Sequence, residues 1–283
     1  MKILKTIAEM NEYVRKNKKR GHSLGFVPTM GCLHDGHLSL VNAAKEECAK
    51  VVVSIFVNPI QFGANEDFDK YPRVYKKDIR QLKGTKKVDC LFMPEKEELL
   101  PEGFAAAVTV DNELQSVLCG QSRPGHFKGV TTIVAKLLNI VRPEKLFLGQ
   151  KDFQQTVILK KMIKDLDFDT QVKVCATVRE KDGLAMSSRN IYLSPEERET
   201  AAVMYKALQM AESMIELGEH EVEKVVNEIK RKLKEANVKI DYIDILRAEN
   251  LAEVSRITDE VVIAAAIIVG KTRLIDNVVV PVK

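Results

Sequence analysis

Ten consecutive residues, Pro28-Thr29-Met30-Gly31-Cys32-Leu33-His34-Asp35-Gly36-His37, gather the side-chain types that chemistry on an anion requires. His34 and His37 stand three positions apart, so their imidazoles can face one way and offer donors to a phosphate. Gly31 and Gly36 let the backbone approach a ligand closely within the connecting turn. A phosphoryl or adenylyl transfer spreads charge over non-bridging oxygens in its transition state, and fixed donors of this kind stabilise it. On spacing alone the same pattern also suits a solvated turn or a core pair. Zinc is disfavoured, because no second Cys or His pair stands at ligand spacing.

Other stretches carry related chemistry. In Gly149-Gln150-Lys151-Asp152-Phe153-Gln154-Gln155 a lysine follows a glycine, where its compact charge can meet a phosphate, although a salt-bridged first helical turn reads the same way. Asn58 and Gln61 offer amides just past an apolar run, and Asp78 and Gln81 lie a turn apart on an expected helix. The stretch Arg123-Pro124-Gly125-His126-Phe127-Lys128-Gly129 is a lid over phosphates or an ordinary basic loop, with spacing unable to choose. The loop Lys181 to Asn190, with Met186, Ser187, Ser188 and Arg189, offers hydroxyls and a guanidinium to a polyphosphate, or is plain linker.

These residues need a frame, and the apolar periodicity supplies one. Leu24-Gly25-Phe26-Val27 reads as a buried strand running into the first motif, and Leu38 to Cys48 as the helix that leaves it. A strand that hands over to a helix N-terminus is where backbone N–H groups and the helix dipole favour bound phosphate. Lys50 to Val57 is an uninterrupted apolar run of the kind buried in a parallel sheet, and it delivers Asn58 at its carboxyl end. Val88 to Met93, Lys145 to Leu148 and Gln171 to Cys175 read as further strands, with Ala106 to Val110 as one more candidate. Helices are expected over Thr6 to Arg20, from Tyr71-Pro72-Arg73 onward and over Val130 to Ile140. From about residue 178 the pattern changes. Ser194-Pro195-Glu196-Glu197 is a capping box opening a long helix to Leu217, a second helix spans Val222 to Ala236, and Ile240 to Val280 reads as strands ending in a hairpin. The expected fold is α/β, a Rossmann-like parallel sheet over 1–177, followed by a smaller α+β domain of helices and antiparallel strands over 178–283.

At 283 residues the chain is long for one core, and 45% hydrophobic with 30% charged residues describes a globular protein. A net charge of +4 with scattered basic residues suits small anions and argues against nucleic acid. No window approaches a membrane span, and the five scattered cysteines lack a CxxC, which points to reduced thiols and a cytoplasmic setting.

His34-Asp35-Gly36-His37 resembles the HxGH signature of a nucleotidyltransferase superfamily that includes class I aminoacyl-tRNA synthetases. The chain is similar along nearly its whole length to the pantoate–β-alanine ligase family. The resemblance rests, in order, on PTMG-x-LHxGH, SIFVNPxQF, YPR, RPGHF-x-GV, LF-x-GQKD-x-QQ and MSSRN-x-YL. Met-Ser-Ser-Arg takes the place of the superfamily's KMSKS loop with the first lysine absent. Cys32 and Asp35 stand where the family often has alanine and glutamate.

The resemblance implies an ATP-dependent condensation of pantoate with β-alanine through an enzyme-bound pantoyl adenylate, releasing AMP and diphosphate. It implies that His34, His37 and Lys151 act on the ATP phosphates. Ser187, Ser188 and Arg189 would grip the diphosphate. Met30, Gly149, Asp152, Val178 and Met186 would surround the nucleotide, and Gln61, Gln155 and Asn58 would hold pantoate. Asp78 and Gln81 match positions near β-alanine or a Mg²⁺-linked water. Mg²⁺ would be held mainly by ATP, and a homodimer is expected. Three alternatives differ in what they need. Another HxGH nucleotidyltransferase has no use for paired glutamines, a tRNA-binding fragment needs an extended basic surface, and a nucleotide sensor needs no histidines with lysine at phosphate reach.

Overall fold

The computed structural model describes residues 1–281 except 65, 111 and 112. Its elements run β1 (Lys2–Leu4), α1 (Ile7–Lys18), β2 (Leu24–Thr29), α2 (Asp35–Glu47), β3 (Lys50–Ile55), α3 (Tyr75–Thr85), β4 (Cys90–Phe92), α4 (Lys96–Leu99), α5 (Cys119–Ser122), α6 (His126–Val141) and β5 (Lys145–Gly149). After these come α7 (Phe153–Asp165), β6 (Gln171–Cys175), α8 (Pro195–Ala201), α9 (Val203–Glu216), α10 (Val222–Glu235), β7 (Lys239–Arg247), β8 (Val261–Val269) and β9 (Thr272–Val280). Contacts divide the chain into two compact units. One is Met1–Asp111 with Arg123–Gly149 and Ile158–Ala176; the other is Asn112–Ser122 with Gln150–Val157 and Thr177–Lys283.

The first unit holds a six-stranded sheet in the order β1-β4-β3-β2-β5-β6, every pairing parallel. Chain order advances from β2 through β3 to β4 on one side and resumes with β5 on the other, so the strand order reverses between β2 and β5. In an open parallel sheet the carboxyl ends of such a pair flank a crevice where ligands collect. Val27, Val51, Val53, Leu91 and Phe147 pack under α2 through Leu40, Val41 and Ala44, all essentially inaccessible to water. Thr6 and Glu9 close a reciprocal capping box at the start of α1.

The second unit packs α8, α9 and α10 on the antiparallel sheet β7-β8-β9. The capping box read at Ser194 is present, with Pro195 in the first helical turn and Glu197 reaching back.

Local differences have local causes. Segment 106–110 is not a strand, because Thr131 and Thr132 of α6 take the backbone groups of Val108 that a neighbouring strand would need. The stretch Arg123–Gly129 is not a lid loop: it runs into α6, which begins at His126 after Gly125 turns with φ of 81°. The helix expected from residue 71 begins only at Tyr75. The long helix expected after Ser194 is two, interrupted at Ala202, whose φ of −65° and ψ of −17° keep it right-handed. β1 was not legible; three residues pair with β4 at the sheet edge.

Candidate functional site

Thr29 ends β2 by donating its hydroxyl to the Ser54 carbonyl at 2.8 Å and accepting from Gly31 N–H at 3.1 Å, which ties the first turn of the motif to β3. Gly31 and Cys32 then take consecutive positive φ values of 84° and 51°. The next N–H groups converge on one carboxylate: Cys32 and Leu33 donate to Asp78 Oδ2 and Oδ1, each at 2.9 Å. Successive N–H groups in such a turn form an anion cradle, and here Asp78, fully buried, fills it from α3. Asp78, expected near β-alanine or a Mg²⁺-linked water, therefore clamps the turn that presents the histidines. Gln81, one turn along α3, has a buried Oε1 that meets no hydrogen-bond partner among the described residues.

His34 is the N-cap of α2 and His37 its third residue, with ring centroids 4.0 Å apart. The His34 backbone N–H points to His37 Nδ1 at 3.3 Å. Nδ1 is thus the acceptor, and a neutral His37 carries its proton on Nε2. This tautomer puts the donor on Nε2 of a residue in the first turn of α2, where the dipole favours negative charge.

Asn58 and Gln61 form a unit whose orientation the backbone dictates. Asn58 Oδ1 accepts from Ile60 N–H at 3.2 Å, and Nδ2 donates to the Gly129 carbonyl at 3.1 Å, so the Asn58 amide has one possible orientation. Its second N–H reaches Gln61 Oε1 at 2.9 Å. Gln61 must then present its NH₂, which among the described residues meets only the Met30 sulfur, at 3.3 Å. A thioether is a weak acceptor, so this donor is available to a carboxylate or hydroxyl oxygen. Asn58, 3% exposed, orients Gln61 in addition to any ligand contact of its own.

The cationic residues of Arg123–Gly129 support the same turn. The Gln61 carbonyl receives a bond from His126 Nδ1 at 2.8 Å, which fixes the proton there and leaves Nε2 to accept from Arg123 at 3.0 Å. Arg123 in turn donates Nε to Glu66 at 2.7 Å. Partial burial pushes the Glu66 carboxyl up, yet the Arg123 bonds and charge outweigh it and hold the group below its ordinary value. Gly129 completes the arrangement. A Cβ there would lie 2.1 Å from the Ile60 carbonyl oxygen, so only glycine lets α6 come this close.

The second unit carries the other expected residues. Lys151 Nζ lies 3.6 Å from Asp152 Oδ1, with side chains 21% and 51% exposed. Of the two glutamines, Gln154 is structural: buried, it donates to the Leu114 and Val117 carbonyls at 2.7 Å and accepts from Cys119 N–H at 3.0 Å. Gln155 is the half-buried one. Val178 and Met186 are brought together by a small hairpin in which Met186 N–H donates to the Val178 carbonyl at 3.0 Å. Ser187 caps the 3₁₀ turn Ser188–Tyr192 by accepting from Arg189 N–H at 3.3 Å, and Ser188 is 8% exposed. Gly149 ends β5 in the first unit, opposite Cys175.

Several contributors were not legible in sequence. Glu66 acts through its contact with Arg123, and in the second unit Asn277 holds the backbone of Lys151 beside the paired Arg179 and Asp276. The one available signal was the polar pair Asp276-Asn277 interrupting the apolar run from Leu274 to Val280. Among the described residues, no cluster of three or more His, Cys, Asp or Glu could hold a metal ion. Burial pushes the thiols of Cys48, Cys175 and Cys90 up, the last to about 12, so these three are not nucleophiles at neutral pH.

Known proteins share this fold. The pantothenate synthetase of Caldicellulosiruptor bescii is 49% identical over 284 residues, and that of Syntrophomonas wolfei 50% over 283, with both chains covered completely. The crystal structure of pantothenate synthetase from Thermus thermophilus superposes with a TM-score of 0.93 at 41% identity, covering 98% of this chain and 99% of that one. A pantoate-β-alanine ligase from Francisella tularensis, complexed with β-γ ATP and β-alanine, superposes with a TM-score of 0.82 at 36% identity, over 98% and 97% of the two chains. The family model described as pantoate-β-alanine ligase matches residues 2–279, and the chain belongs to that family.

Proposed function

We propose an assignment of side chains to the two half-reactions of an ATP-dependent ligase. The chain condenses pantoate with β-alanine at the expense of ATP, the reaction of its family. In the first half-reaction a pantoate carboxylate oxygen attacks the α-phosphorus, forming pantoyl adenylate and releasing diphosphate. Pantoate supplies its own nucleophile, so the protein's task is alignment and charge stabilisation. His37 donates Nε2–H, with His34 beside it, to phosphate oxygens. Lys151 adds a compact charge, and Ser187, Ser188 and Arg189 hold the departing diphosphate. Met30, Gly149, Asp152, Val178 and Met186 surround the nucleotide, with Asp152 accepting from the ribose. Gln61 and Gln155 hold the hydroxyls and carboxylate of pantoate, with Asn58 fixing Gln61.

In the second half-reaction the β-alanine amine attacks the acyl carbon and AMP leaves. The buried Gln81 Oε1 is an acceptor for that substrate's end of the site. Mg²⁺, carried on the ATP phosphates, would neutralise their charge. We read the enzyme as a cytoplasmic homodimer that binds neither nucleic acid nor membrane. Five free cysteines support a reducing compartment, and no helix among the described residues is long and apolar enough to cross a membrane.

The observation that carries the assignment is the preset geometry at the ends of β2 and β3, where backbone groups dictate which nitrogen of His37 and which end of the Gln61 amide carry the donors. AMP formation from ATP, measured with and without pantoate and β-alanine, tests it. AMP should accumulate only with both present. Steady AMP release that ignores pantoate would overturn the reading.

A further inference from the structure

Strand β9 is apolar on either side of Asp276 and Asn277, which are 2% and 3% exposed. Burying an amide and a carboxylate costs free energy unless each is hydrogen-bonded, so the pair must be serving other groups. Adjacent strand residues point to opposite faces, which lets the two grip different segments of the second unit. Asp276 takes a two-pronged contact from Arg179, with Nη2 to Oδ1 at 3.0 Å, and also accepts from Asn277 N–H at 2.8 Å. Arg179 is itself stacked over Tyr205 at 3.6 Å from the ring centre and donates to the Gly183 carbonyl at 3.2 Å. Asn277 is therefore held on a fixed strand, paired opposite Ala264. Its Nδ2 donates to two successive carbonyls, Gln150 at 3.1 Å and Lys151 at 2.9 Å.

One amide gripping two consecutive carbonyls fixes the peptide planes on both sides of the Lys151 Cα, and with them the direction in which its side chain leaves. We propose that Asn277 is a positioning residue for Lys151, with the Arg179–Asp276 pair as its anchor. This rests on the reading of Lys151 as the phosphate lysine. Asn277 touches no reacting atom; it presets the path of a side chain whose charge is useful only where phosphate charge develops. A strand near the end of the chain thereby reaches back to a residue more than a hundred positions earlier.

The test is a double-mutant cycle on the full-length enzyme, read as diphosphate release from ATP and pantoate at saturating substrate. Lys151→Ala should lower the rate on the order of 10²–10³-fold. Asn277→Ala should lower it on the order of 10²-fold, since displacements of about an ångström carry that cost. The Michaelis constant for β-alanine should be unchanged, and in the Lys151→Ala background Asn277→Ala should change the rate less than about twofold. A role confined to packing would instead lower the melting temperature and leave the rate of folded enzyme intact. If Asn277→Ala does not fold, Asn277→Asp, nearly isosteric and without the two donors, takes its place with the same expectation. A folded Asn277 variant with normal diphosphate release, or losses that multiply in the double variant, overturns the proposal. Normal release by Lys151→Ala would remove the phosphate role itself and the proposal with it, an outcome distinct from a dead Lys151→Ala beside a normal Asn277→Ala.

Discussion

His37 and Gln61 show how little freedom the key side chains retain. Each has one end engaged by backbone or by an amide that the backbone has oriented, which fixes where its donors lie. His37→Ala should cut adenylate formation on the order of 10²–10³-fold with the fold intact, because a preset donor to developing charge is lost. Diphosphate release alongside circular dichroism checks this, and a folded variant releasing diphosphate normally would exclude the role. Gln61→Ala should raise the Michaelis constant for pantoate far more than that for ATP, since a site built to hydrogen-bond hydroxyls suffers when its partner goes. Equal changes in both constants would take Gln61 out of pantoate binding. The histidines stood out in sequence because a glycine-flanked motif follows an apolar run, whereas the role expected of Gln61 came from the family resemblance. The clamp made by Asp78, and Glu66 and Asn277 altogether, were not legible, because a carboxylate on a helix or an amide in a strand reads the same whether it faces solvent or clamps a turn distant in sequence.

Among the elements, α6 matters to the site through what its first turn touches. Gly129 of α6 meets the Ile60 backbone, and His126 holds the Gln61 carbonyl. Gly129→Ala would force a methyl to 2.1 Å from a carbonyl oxygen, so backbone must move. It should destabilise the protein by about 1–3 kcal/mol and raise the pantoate Michaelis constant, read by thermal melting and kinetics together. A variant with unchanged melting temperature and pantoate affinity would show that the close approach is not needed. The Glu66–Arg123 contact adds a pH dependence. The folded-state value of Glu66 lies below its ordinary 4.5, so its stabilisation is complete above that pH and is lost as pH falls through the depressed value. Glu66→Gln should therefore flatten this part of the acid limb of stability between neutral pH and the acid side of 4.5, measured by denaturant midpoints across that range. An acid limb identical to the parent's would discount the contact. Element types were readable from apolar periodicity, and strands β2, β3 and β5 fell where it put them. The 106–110 segment misled because Val108 satisfies its backbone through threonine hydroxyls of α6, a partner that periodicity cannot show.

For the whole molecule, the succession from a parallel sheet to helices on an antiparallel one was visible in sequence. What sequence could not show is that two earlier segments fold with the later unit. Segment 112–122 lends Cys119, whose sulfur lies 3.3 Å from Tyr242 Oη, and Ser122, whose hydroxyl receives Arg273 at 3.1 Å. Segment 150–157 lends Gln150 and Lys151 to Asn277. A chain ending at Ala176 would keep every strand of the six-stranded sheet but strip both segments of these partners. Its apolar residues there would face water, and Lys151 would lose the amide that directs it. Such a chain should keep the parallel sheet, show fast hydrogen exchange across 112–122 and 150–157, and make no pantothenate. Exchange in those two segments as slow as in the full-length protein would mean that they order without the later unit.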